Sequence, residues 1–76
     1  MPTFRITVIN QTFTACDDHD LPSFDAARVK GIKAALDIGS EEVAGGNPFF
    51  AAEVIVAEKD EKLGRFLVSI GASSIQ

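Results

Sequence analysis

The chain has no tryptophan and no tyrosine, and only one cysteine, one histidine and one methionine in 76 residues. A lone cysteine rules out an intramolecular disulfide and fits a reducing compartment. One cysteine and one histidine also fall short of the four Cys/His ligands of a structural zinc site. Basic residues are scarce: seven Lys and Arg stand against eleven Asp and Glu, for a net charge of −4. That balance argues against general nucleic-acid binding, which draws affinity from cations that displace phosphate counterions. No apolar run reaches the length of a membrane span, and the N-terminal MPTFRITVIN alternates instead of forming a signal-peptide core. A cytoplasmic protein without membrane contact is expected, so the sequon Asn10-Gln11-Thr12 has no consequence.

What is present is a folded composition, 46% hydrophobic, with three prolines and no repeat or linker. Residues 1–76 form one domain, near the size at which a lone core is only marginally stabilising. Without a disulfide, such a domain relies on close packing or on a partner subunit.

Alternation marks the strands. In TFRITVI (3–9), Phe4, Ile6 and Val8 share one face, and Arg5, Thr7 and Ile9 the other. A second strand is expected over 12–16, after a two-residue turn at Asn10-Gln11 that sets Val8 opposite Phe13 and Ile6 opposite Ala15. Ser23 is placed to cap a helix, with Asp25 in its first turn where a carboxylate suits the helix dipole. The helix is predicted from Phe24 to Ile38, extending towards Val43, with Gly45-Gly46-Asn47-Pro48 as its stop. FFAAEVIVAE (49–58) and RFLVSI (65–70) read as two more strands around a KDEK turn, with a bulge at Gly64. The result is an α+β fold, ββαββ, with an antiparallel sheet of two hairpins packed on one helix.

At about 100° per residue, Val29, Ile32, Leu36 and Val43 line one stripe, expected to face the sheet. A second arc holds Phe24, Ala27, Gly31, Ala34, Ala35 and Ile38, mostly small residues that permit close approach. Ile9, Phe49, Ile55 and Leu67 lie on the sheet face away from the core. Two apolar surfaces beyond the core point to a homodimer, with the small-residue arc as its interface.

The stretch CDDHD (16–20) concentrates a thiol, three carboxylates and the only imidazole. Cys16, His19 and Asp20 are a conceivable metal set, and Cys16 with His19 a conceivable nucleophile pair. The acids would raise a thiol pKa rather than lower it, and no second ligand pair exists elsewhere. The stretch is better read as a solvated loop leading into the helix. Arg28 falls inside the apolar arc and needs a partner; Asp17, Asp18 and Asp20 just upstream are the expected ones, pinning loop to helix. No Gly-rich phosphate loop precedes the helix, and no cofactor motif is present.

Two resemblances remain. Removal of Met1 would expose Pro2 on the first strand, as in tautomerases that use a prolyl amine as general base, and VIVAEKDEKLGRFLVSIGAS loosely looks like the later part of that superfamily. The extra strand before the helix departs from their strand–helix–strand layout. Over almost the whole chain, LPSFDAAR (21–28), ALDIGSEEV (35–43), NPFFAAEVIV (47–56) and GRFLVSIGAS (64–73) resemble a group of short bacterial proteins classed as a domain of unknown function. The turn KDEKLG departs from that family's shorter Asp-Glu-x-Gly-Arg turn. The resemblance implies a small α+β fold, assigns no activity, and marks Ala26, Ala27 and Arg28 as a shared helix start. The expected protein is a non-enzymatic homodimer that mediates protein–protein interaction or assembly. The alternative is a small-molecule binder or enzyme, with Pro2 as the catalytic residue.

Overall fold

A computed structural model describes residues 1–75 as a four-stranded antiparallel sheet with one helix on one face. The elements are β1 (Thr3–Ile9), β2 (Thr14–Asp20), α1 (Phe24–Ala44), β3 (Phe49–Glu58) and β4 (Glu61–Gly71). The order β2-β1-β3-β4 places β1 and β3 at the centre and joins the two hairpins in one sheet. Among the described residues, no helix is long and apolar enough to cross a membrane.

Local signals behave as their chemistry dictates. Ser23 caps α1, its Oγ accepting the Ala26 N–H at 3.1 Å. The helix stops at Ala44, ahead of Gly45-Gly46. Phe4, Ile6 and Val8 of β1, and Phe50, Ala52, Val54 and Val56 of β3, turn to the helix and are buried. Leu63 is the extra residue of a bulge beside Gly64, where the β3–β4 register shifts by one.

The helix is turned differently from the sequence expectation. Its buried positions are Ala27, Gly31, Ala35 and Gly39, one per turn, whereas Val29 and Leu36 remain 42% and 40% exposed. Ile32 and Val43 only flank the core. The reason is volume: the sheet face already carries two phenylalanines and several branched side chains, so the helix closes on it with its smallest stripe. A Cβ added at Gly31 would stand 2.7 Å from Val54 Cγ1, and one at Gly39 2.6 Å from Phe50 Cδ2. Ala27, Gly31 and Ala35 are therefore core residues and not a dimer interface. Phe24 and Ile38 pack against the same core, with Phe24 tilted over Phe66 at a ring separation of 6.3 Å. Ala34 alone of that arc is exposed.

The second correction concerns β2. It starts at Thr14, two residues later than expected, and Val8 faces Ala15 while Ile6 faces Asp17. The turn spans residues 10–13, because Asn10 holds it in place. Its Oδ1 accepts from the Thr12 N–H and hydroxyl, each at 2.9 Å, and its Nδ2 donates to the Ala51 carbonyl, also at 2.9 Å. The acidic stretch is consequently an edge strand, not a loop.

Candidate functional site

Because β2 is a strand, its side chains alternate between the two faces of the sheet. Ala15, Asp17 and His19 take the helix face, opposite Val8, Ile6 and Phe4; Cys16, Asp18 and Asp20 take the open face, opposite Thr7, Arg5 and Thr3. Cys16 and His19 thus project from opposite sides, which removes both the metal set Cys16, His19, Asp20 and the Cys–His pair. Among the described residues, no group of three or more His, Cys, Asp or Glu side chains is arranged to hold a metal ion.

The acids find partners across the strand rather than in the helix. Arg5 donates to Asp18 through Nε at 2.9 Å and Nη2 at 3.2 Å, and the Thr3 hydroxyl donates to Asp20. Arg28 pairs instead with Asp25, one helical turn back, at 2.8 Å. The expected pin between Arg28 and Asp17, Asp18 or Asp20 is absent, since the strand carries those carboxylates away along the sheet edge. Pro2 lies just ahead of β1, its carbonyl accepting the Leu21 N–H at 3.1 Å.

The hydrogen bond from Arg5 holds the Asp18 carboxyl below its ordinary value of 3.8 and raises the Arg5 guanidinium. A carboxyl depressed in the folded chain contributes stability above its unfolded pKa, and that contribution is lost as pH falls through the lowered folded value. Arg5→Met is expected to return the Asp18 midpoint towards its ordinary value in a carboxyl-detected NMR titration. A midpoint that stays where it was would show that Arg5 is not the cause.

The helix overlies β1, β3 and β4 but leaves β2 uncovered. Between them runs a cleft of about 660 Å³. Ile6, Val8 and Ala15 floor it; Val29 and Ala34 add apolar wall; Asp17 and His19 on the strand side face Lys30, Lys33 and Asp37 on the helix side. The sequence shows the two lysines and Asp37 only as the polar sector of a helix. Their spacing of three and four residues places them on one flank, but only the sheet order reveals that the flank borders a groove. Among the described residues, no side-chain hydrogen bond ties His19 to a carboxylate or a lysine, so the cleft presents separate charges above an apolar floor.

Backbone groups complete the site. The Asn10 N–H bonds the Phe13 carbonyl at 2.9 Å, and the Leu21 N–H bonds that of Pro2, so the bonded pairs at both ends of the β1–β2 ladder are known. Antiparallel ladders alternate between bonded and non-bonded pairs. Ala15, Asp17 and His19 therefore bond inward to β1, while Thr14, Cys16, Asp18 and Asp20 direct N–H and C=O outward. At the opposite edge, the Ala72 N–H bonds the Pro48 carbonyl at 2.9 Å. By the same alternation, Arg65, Leu67, Ser69 and Gly71 of β4 point their backbone groups outward.

Comparison with protein families, curated proteins and solved structures finds no match for this chain. The two open edges, the cleft and the uncovered sheet face are the features from which function must be read.

Proposed function

We propose that the protein is a non-enzymatic homodimer that serves interaction or assembly, its copies joined edge to edge along β4. The observation that carries this is Leu67, 77% exposed at the centre of an unpaired strand edge. Two β4 strands related by a two-fold axis at Leu67 pair Leu67 with its own copy, Phe66 with Val68 and Arg65 with Ser69. Every one of these pairs is apolar or free of like charge. The outward N–H and C=O groups of residues 65, 67 and 69 then meet in register, extending the sheet across both copies.

The surrounding open face supports the same reading. Phe49 is 61% exposed on that face, and Ile9 and Ile55 are half-buried elsewhere on it. Two of its cations are engaged within the chain, Arg5 with Asp18 and Arg65 with Glu53.

The test is solution mass by size exclusion with light scattering. Refractive-index detection is required, because a chain without Trp or Tyr absorbs little in the near ultraviolet. Wild type is expected at twice 8.1 kDa. Leu67→Lys places two cations face to face at the axis and is expected to run as a folded monomer, with a thermal midpoint below that of the wild-type dimer because association stabilises the folded chain. A monomeric wild type, or a Leu67→Lys variant that remains dimeric, would exclude β4 pairing.

A further inference from the structure

The β2 edge is less suited than β4 to pairing with its own copy. Antiparallel pairing of two β2 strands centred on Asp17 sets that residue against its own copy; centring on Asp18 does the same to Asp18. Both registers oppose carboxylates, and centring on Cys16 avoids that only by running His19 and Asp20 past the start of β2 at Thr14, so a second copy of this chain is disfavoured. The edge nevertheless keeps what strand addition requires. Its backbone groups at Thr14, Cys16, Asp18 and Asp20 face outward, its open face is acidic, and its helix face borders the cleft.

We infer that β2 is a docking edge for an extended basic peptide in which Arg or Lys alternates with aliphatic residues. The backbone of the peptide continues the sheet beyond β2. Its basic side chains stand on the open face next to Asp18 and Asp20. Arg5 engages both oxygens of Asp18, whereas Asp20 receives only the Thr3 hydroxyl and is left without a cation. Its aliphatic side chains fall on the opposite face, where the gap over Ala15, beside Asp17 and His19, leads to the apolar floor of the cleft. Lys30 and Lys33 on the far wall are balanced by Asp17 and Asp37, so it is the apolar floor of Ile6, Val8 and Ala15 that assigns the aliphatic residues to the cleft and leaves the basic ones to the open face. That separation fixes which side of the peptide faces which. The site lies at the opposite edge of the sheet from β4 and stands independently of dimerisation.

The test is an amide NMR titration of the full chain with a synthetic peptide of alternating Arg and Ile, equal in length to β2, and with its Glu-Ile counterpart. The Arg peptide is expected to shift the amides of Cys16, Asp18 and Asp20 and to slow their hydrogen exchange, while the Glu peptide leaves them unmoved. Asp18→Asn combined with Asp20→Asn is expected to weaken binding roughly fivefold, as for two exposed ion pairs. Cys16→Pro removes one outward N–H and leaves the β1 ladder intact, and is expected to abolish binding. Leu67→Lys should bind the Arg peptide as wild type does, which separates this site from the dimer edge. The inference fails if both peptides bind alike, if the shifts centre on β4 or on the outer face of α1, if Cys16→Pro binds undiminished, or if the β2 amides do not respond at millimolar peptide.

Discussion

Gly31→Leu is expected to abolish cooperative folding, leaving no sigmoidal thermal transition in far-ultraviolet circular dichroism. A Cβ at this position already meets Val54 Cγ1 at 2.7 Å and Ile6 Cγ2 at 3.0 Å. Both neighbours are branched at Cβ, so neither can swing a flexible tip aside, and Val54 is fully buried. Even Gly31→Ala sets a helix-propensity gain of about 1 kcal/mol against an overpacking cost of about 1–3 kcal/mol, and should be net destabilising. Leucine adds three further carbons in the same space and must lift the helix from the sheet. A domain of this length has roughly 4–11 kcal/mol in total, at about 0.05–0.15 kcal/mol per residue. Ala34→Leu is the control, because Ala34 faces the cleft and has room; its midpoint should stay near that of wild type. A cooperative Gly31→Leu transition close to the wild-type midpoint would overturn the assignment of the helix–sheet contact.

Phe50→Ala is expected to cost about 3–5 kcal/mol, a large part of the same total. Phe50 is 2% exposed, and its ring lies beneath Gly39, where an added Cβ would come within 2.6 Å of Cδ2. The two positions share one volume, with the large residue on the sheet and the small one on the helix. Reversing the allocation tests this directly. Gly39→Leu alone should destabilise by overpacking and Phe50→Ala alone by leaving a cavity, whereas the double variant should lose less than the sum of the two. Urea unfolding of all four proteins measures the coupling through the transition midpoints. Additive losses would mean that the two residues do not share a volume.

The same contacts explain why the hydrophobic pattern of the helix points to a different face from the one that is buried. Val29, Ile32, Leu36 and Val43 are larger and more apolar than Ala27, Gly31, Ala35 and Gly39, and a hydrophobicity pattern favours the larger set. What decides is complementarity with Ile6, Val54 and Phe50, residues on β1 and β3 outside the helix. Gly31 was the visible signal: a glycine costs helix stability, so its place in mid-helix marked a close approach. The sequence could not say to which surface. Likewise CDDHD has poor strand propensity and reads as loop. It becomes strand because β1 offers a backbone ladder and places Arg5, Thr7 and Thr3 across from Asp18, Cys16 and Asp20. Once that strand exists, the apparent cluster of chemistry at 16–20 divides between two faces, and a cleft appears that no sequence motif announces.

The sequence by itself determined the order ββαββ, the Ser23 cap, the helix stop before Gly45-Gly46, and the core faces of β1 and β3. Each of these depends on neighbouring residues and on the fixed periods of strand and helix. Only the tertiary structure decided which helical stripe is buried, the register of β2, the partner of Arg28, and which two strands remain as open edges. These depend on how volumes and backbone groups from distant parts of the chain are satisfied together, and that condition has no local signature.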